Sequence, residues 1–291
     1  MDVGLSGGGM IADGIHLPPP GLAGCLSSAL VTSLPGGTYI LPAALHPVLL
    51  VILQGGIVVR RGAGERPLPG LVLCGGTRGV REARAESGTR IITVPLQPVA
   101  VRVLFGLPGG ALMEEAVDPA ELLDAAGRGA LARFVEALPS VAAVRDEVRR
   151  LWDLLAALRR GGGRSSDLWV PLPLLAFPAD LLAERFGLGP RQFERRFRES
   201  YGQPLRGYRQ QLRCSRMLAS LRVTVDPAEG WAAIAAAAGY VDQAHLCRDV
   251  RRFTGHTPTG LQAGVAGDDP AFWPYRVDPA TLARHFGPTG F

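Results

Sequence analysis

Apolar and polar positions change their period near residue 107. Upstream, short β-prone runs at Val48–Gln54, Ile57–Arg61, Leu71–Cys74, Arg90–Pro95 and Val99–Phe105 are punctuated by Gly and Pro, which favours an antiparallel sheet or small barrel. Downstream, Pro119–Ala126, Ala130–Leu138 and Val141–Arg159 have the three-to-four spacing of helices with one buried face. Arg160–Ser166 (RGGGRSS) offers nothing to bury and reads as a flexible linker.

Beyond the linker the pattern is helical throughout. Ala179–Phe186 is followed by a Gly187-Leu188-Gly189 turn, and Pro190 suits the first position of a second helix ending near Gly202. Phe193 and Phe197 form its buried pair, leaving Arg191, Gln192, Glu194, Arg195 and Arg198 to face outward. Gly189 is a weaker cap than Ser by only about a few tenths of a kcal/mol. Leu205–Leu221 then repeats apolar residues at helical spacing with arginines opposite. A second helix pair follows. Trp231–Ala238, nearly all alanine, ends at Gly239, and Asp242 caps a helix running to about Phe253, stopped by Gly255 and Pro258. Leu246, Val250 and Phe253 share its buried face, while Gln243, Ala244, His245, Arg248, Arg251 and Arg252 are left for the others. Gln and Arg near a helix N-terminus pair with adenine and guanine edges, and arginines further along suit phosphates.

The second pair resembles the second helix-turn-helix of the AraC/XylS family of bacterial transcription regulators, through Ile234, Ala235, Gly239, Tyr240, Asp242, Ala244, Leu246, Arg248, Val250, Arg251, Gly255, Thr257 and Pro258. Ala244 stands where Ser is commoner, and Leu246 and Val250 where Phe is usual, which implies a slightly smaller core. The family carries two such motifs, and the upstream pair resembles the first. Leu205–Leu221 resembles the connecting helix, about 25 Å long at 1.5 Å per residue, enough to hold two recognition helices about one DNA turn (roughly 34 Å) apart.

The resemblance implies an α+β architecture. An antiparallel, β-rich, cupin-like regulatory domain with a helical neck is expected over 1–160, then a linker over 161–166. An all-α DNA-binding domain would fill 167–267, with motifs at 179–202 and 231–255, before an extension over 268–291. The partners implied are double-stranded DNA, RNA polymerase, a second copy of the chain and a small-molecule effector on the N-terminal domain. The activity implied is promoter regulation. A DNA-repair alkyltransferase on the same DNA-binding chassis, modified at Cys25 or Cys74, is the enzyme alternative. A regulator governed by a protein partner alone is a third reading.

Charge sharpens this picture. The formal net charge of +5 over 291 residues is modest, but eight Arg against Glu194 and Glu199 put +6 on Leu188–Arg216 alone. The chain contains no lysine, which the codon bias of a GC-rich genome explains together with abundant Ala, Gly and Pro. At 47% hydrophobic it should hold two or three compact domains. No run approaches the roughly eighteen apolar residues of a membrane span and no signal peptide is evident, so a cytoplasmic, nucleoid-associated protein is expected.

Other motifs add little chemistry. The Gly7–Gly9 and Gly161–Gly163 runs lack the strand and helix context of a phosphate loop. His16 and His46 lack the neighbours of a metal site, and Cys25, Cys74, Cys214 and Cys247 are too scattered for a zinc or disulfide framework. No cofactor, metal or catalytic residue is expected. Glu194 either accepts a bond from cytosine or tethers Arg198 four residues on. Arg248 competes between DNA and pairing with Asp242 or Asp249. His245 is a base or phosphate contact, or a residue at the solvent edge. Phe272, Trp273 and Tyr275 should pack back on the helical domain.

Overall fold

The structure, a computed structural model, describes residues 11–62, 64–138, 144–159, 167–220, 230–267 and 269–275. The expected linker, residues 141–143 of the third predicted helix, Leu221 and most of the C-terminal extension lie outside them.

The N-terminal half is built on two antiparallel sheets. The larger has the order β1 (Ile11–His16), β2 (Ala29–Leu34), β9 (Thr89–Pro95), β4 (Val48–Gln54), β7 (Leu71–Cys74), β10 (Ala116–Val117). The smaller runs β3 (Gly37–Leu41), β8 (Arg81–Ala85), β5 (Ile57–Arg61), β6 (Gly64–Pro67). Strand alternation divides the apolar residues of the large sheet between two cores. Leu49, Val51, Leu71, Leu73, Ile92 and Val94 face helices α1 (Pro98–Phe105), α2 (Ala125–Ala137) and α3 (Val144–Leu158). Leu50, Val72 and Ile91 point the other way and meet Tyr39, Ile57, Ala83 and Ala85 of the small sheet. The continuous apolar run VLLVILQ is therefore a strand covered on both faces. An ion pair between Arg90 and the buried Glu147 ties β9 to α3.

Two expectations fail here. Val99–Phe105 is not a strand but most of α1, with Pro98 at its start and Gly106 as a left-handed C-cap (φ 80°) whose N–H bonds to Arg102 O. Its β-branched valines suggest a strand, yet burial of Ala100, Val101, Leu104 and Phe105 follows the helical period, and tertiary packing overrides propensity. Pro119–Ala126 is not one helix either. Asp118 caps a short 3-10 turn over Pro119–Leu122 and Asp124 caps α2, so two competing aspartates split the segment at Leu123.

The C-terminal half is all helical: α4 (Ala179–Arg185), α5 (Pro190–Tyr201), α6 (Leu205–Ser220), α7 (Gly230–Ala237), α8 (Gln243–Thr254) and α9 (Pro258–Ala266). It has two apolar cores that share α6. Leu205, Tyr208 and Leu212 of α6 join Leu182, Phe193, Phe197 and Tyr201. Further along, Cys214 and Met217 join Ile234, Leu246, Val250, Phe253 and Leu261. One rigid helix thus carries both helix pairs.

The halves are docked on each other. Ala43 N donates to Phe253 O at the end of α8 (2.8 Å), Arg78 Nη2 to Gly202 O at the end of α5 (2.5 Å), and Gln211 Nε2 to Thr77 O (3.0 Å). Arg102 Nε pairs with the buried Asp167 at 2.8 Å. Gly110 lies so close to α5 that a Cβ there would stand 2.4 Å from Glu199 O. The extension also differs from expectation. Phe272 and Tyr275 do pack on the α8–α9 core, but Trp273 turns to the small sheet and meets Tyr39 edge to face at 6.1 Å.

Candidate nucleic-acid interface

Helix α5 begins as its sequence suggests. Gly189 is an extended N-cap, Pro190 occupies the first turn, and Gly202 closes the helix in the left-handed region (φ 72°). Its buried side is an aromatic ladder, Phe193 to Phe197 at 6.1 Å and Phe197 stacked on Tyr201 at 4.1 Å, braced by Tyr208 of α6. That fixes the rotation of the helix and turns Arg191, Gln192, Arg195 and Arg198 outward, all exposed. Glu194 is half-buried. It stands 3.7 Å from Arg198, and Glu199 stands 3.9 Å from Arg195. Such exposed i, i+4 pairs hold the arginines weakly, and phosphate oxygens compete for them readily. Beside this face an open groove of about 750 Å³ is lined by α5 and by the Pro108–Ala111 segment, which touches the end of α5 at Gly110.

Helix α8 is capped at both ends. Asp242 accepts a bond from His245 N at 2.6 Å, and Gly255 (φ 78°) donates back to Arg251 O. Leu246, Val250 and Phe253 are buried as their spacing requires. Gln243, Ala244, Arg248, Arg251 and Arg252 are exposed. Arg248 Nε donates to Ala244 O at 3.2 Å and does not pair with either aspartate. The Arg252 guanidinium lies over the Phe253 ring, 5.1 Å from its centroid.

His245 differs from these neighbours. Its ring stands edge-on to Tyr240 at 5.2 Å, with Nε2 3.8 Å from Asp249 Oδ2. It is thus turned toward the protein rather than carried at the tip of the outer face. Asp249 itself is 3% exposed and accepts a bond from Gln210 Nε2 of α6 at 2.7 Å. This carboxylate, which would repel phosphate, is withdrawn into the junction of α6 and α8. Gln210 and Tyr240 are structural supports that sequence spacing does not reveal, because each acts across an interhelical contact. Arg213 of α6 adds to that junction, its guanidinium 5.3 Å from the Tyr240 centroid.

Residues 182–264 match the helix-turn-helix domain family HTH_18. This segment is an AraC-type helix-turn-helix domain. The match spans α4 to α9 in all but their first and last turns, and so contains α5 and α8 in one unit. A search of curated proteins gave no match. Among solved structures, the chain is similar to ToxT from Vibrio cholerae O395, at 11% identity and TM-score 0.42 over 79% of this chain and 95% of that one. Wild-type ToxT from Vibrio cholerae strain SCE256 with an unsaturated fatty acid bound is similar at 11% identity and TM-score 0.42, over 79% and 92%. Likeness of that extent transfers no ligand or contact, and the AraC-type assignment rests on residues 182–264.

Burial leaves Cys25 and Cys74 little nucleophilic character. Burial pushes the Cys74 thiol up to about 11, with Arg81 opposing only in part, and raises Cys25 as well. Among the described residues no group of three His, Cys, Asp or Glu is placed to hold a metal, and no helix is long and apolar enough to cross a membrane.

Proposed function

We propose that the chain is a sequence-specific transcription regulator that reads two successive major grooves with α5 and α8. The observation that carries this is the pair of capped helices, each presenting exposed arginines on its outer face, held by the single helix α6. At about 1.5 Å per residue the 16 residues of α6 span about 24 Å, and α5 and α8 pack toward its opposite ends, an arrangement that supports a spacing near the roughly 34 Å of one DNA turn. Gln243, Ala244 and Arg248 at the start of α8, with Arg191, Gln192 and Arg195 of α5, are assigned to base edges and adjacent phosphates. Arg198, Arg251 and Arg252 lie in the second halves of their helices and are assigned to phosphates. His245 is assigned a supporting role, given its contacts with Tyr240 and Asp249. The DNA-binding unit is taken as 167–267, with motifs at 179–202 and 231–255.

The β-rich half is assigned the regulatory role. Its loops contact the C-terminal ends of both α5 and α8, through Arg78 with Gly202 and Ala43 with Phe253. A ligand that alters this junction changes how the two recognition helices are held, and so biases DNA binding by its differential affinity for the two arrangements. Contact with RNA polymerase and a homodimer fit the same scheme, working on the nucleoid in the cytoplasm.

Selection of genomic fragments by the purified full-length protein at near-physiological salt tests this reading. Enrichment of a common sequence is expected, and Arg248→Ala should lose about 1–3 kcal/mol on it but less on a scrambled version. Equal losses on both would make Arg248 a phosphate contact. Binding without any sequence preference would overturn the proposal.

A further inference from the structure

Helix α8 carries a carboxylate that packing alone does not account for. Asp249 is 3% exposed and lies in the buried stripe of Leu246, Val250 and Phe253. Its Oδ1 accepts a bond from Gln210 Nε2 of α6 at 2.7 Å, but Oδ2 is buried without a hydrogen-bond partner. A half-satisfied charge inside an apolar junction is costly, and replacing such a group by an apolar one of similar size is often neutral or stabilising. Departures from local rules of this kind concentrate at functional sites.

The group facing Oδ2 is the imidazole of His245, one turn earlier on the same helix, whose Nε2 stands 3.8 Å away. A small turn of the ring that closes about 1 Å brings this pair to hydrogen-bonding distance. The cations of the junction are engaged elsewhere. Arg213 donates to Gly239 O at 3.2 Å with its guanidinium over the Tyr240 ring, Arg248 donates to Ala244 O, and Arg252 lies over Phe253. The Tyr240 hydroxyl, also buried and without a hydrogen-bond partner, lies beside the Cys214 thiol. Burial pushes the hydroxyl up and the thiol up to about 12, so neither brings a charge to the junction. The Tyr240 ring is instead the wall against which the imidazole rests, edge-on at 5.2 Å. The backbone of His245 is held as well, its N–H donating to the cap Asp242 at 2.6 Å. Two aspartates thus address one residue, Asp242 its backbone and Asp249 its side chain.

We propose that Asp249 is a positioning residue for DNA reading: anchored by Gln210, its carboxylate takes the Nε2–H of His245 and parks the imidazole against Tyr240, out of the groove. The surface left to meet bases at the start of α8 is then Gln243, the small Ala244 and Arg248, all exposed. A carboxylate oxygen can only accept, so the neutral imidazole is fixed as its Nε2–H tautomer. Without the carboxylate the ring is free to swing out beside Ala244 and Arg248, and the helix face loses its fit to one sequence. The inference deepens the reading of α8 as a recognition helix and rests on it for the effect on DNA, not for the contact between Asp249 and His245.

The test compares full-length wild type, Asp249→Leu, Asp249→Asn and the double variant Asp249→Leu, His245→Ala on a selected genomic fragment and its scrambled version. Nitrogen NMR of the histidine rings at about pH 8, with His245→Ala to assign the signal, reports the tautomer. Asp249→Leu is expected to melt no lower than wild type, since Gln210 is half-exposed and can turn to solvent. Its preference for the selected over the scrambled fragment should nevertheless fall about tenfold, the lower end of what one bidentate base contact is worth. Removing the freed ring with His245→Ala should return most of that preference. A merely structural Asp249 gives the opposite pair, a lower melting temperature and no rescue. Neutral His245 should be the Nε2–H tautomer in wild type. Asp249→Asn, whose amide offers a donor toward the ring, should lose that signature with a similar drop in preference, and it decides alone if Asp249→Leu fails to fold. Unchanged preference in a folded Asp249→Leu protein, a loss that His245→Ala does not repair, or an Nδ1–H imidazole in wild type would each overturn the proposal. Equal binding of both fragments by wild type would instead sink the reading of α8, while the tautomer still tests the contact with Asp249.

Discussion

Individual side chains set both the stability and the electrostatics of the interface. Phe197 is fully buried, stacked on Tyr201 and edge-on to Tyr208. Phe197→Ala should cost about 3–5 kcal/mol in denaturant unfolding, while the exposed Arg195→Ala should leave stability nearly unchanged. The pH response has a definite sign at His46. Burial lowers its pKa from 6.5 to about 4, so the unfolded chain takes up a proton that the folded one refuses. Its contribution is complete above about pH 6.5 and is lost as the pH falls toward 4. His46→Gln should accordingly flatten the decline in melting temperature over that window, and an unchanged slope would contradict the assignment. At this scale the sequence exposes what lies within one helix. Phe193, Phe197, Leu246, Val250 and Phe253 are buried where their spacing puts them. His245 and Asp249 are not legible this way, because their orientation depends on Tyr240 and Gln210, from other elements.

At the scale of elements, local capping chemistry explains where α8 starts and stops and why Pro119–Leu122 is split from α2. Asp242 before the α8 run and Gly255 after it are visible in the sequence and occupy those roles. Removing the cap with Asp242→Ala should cost about 0.5–2 kcal/mol in thermal or denaturant unfolding, and Asp242→Asn far less. Either result is compatible with retained DNA binding at low temperature, since the recognition face is untouched. Strand β8 (REARA) escapes detection because its only apolar residues are the small Ala83 and Ala85. Helix α1 escapes because Val99, Val101 and Val103 carry strand propensity that burial against the large sheet overrules.

For the whole molecule, the docking of the halves is the least legible feature. It depends on contacts between residues more than a hundred positions apart, such as Arg78 with Gly202 and Thr77 with Gln211. Gly110 offers a direct probe of that junction. A methyl group there meets Glu199 O at 2.4 Å, so Gly110→Ala should force the loop off the end of α5. The expected cost is about 1–3 kcal/mol, with increased amide exchange on both sides of the contact and both apolar cores of the helical half intact. Unaltered exchange at Glu199–Gly202 would show that the halves do not depend on this contact.

The proposed regulator stands or falls on α5 and α8 occupying two successive major grooves. Hydroxyl-radical and methylation-interference footprinting of one protomer on a selected fragment measures this most directly. Two protected major-groove windows about one helical turn, roughly 34 Å, apart are expected, with the distal window lost in an Arg248→Ala, Arg251→Ala double variant. A single window per protomer, or two windows that both survive that substitution, would contradict it.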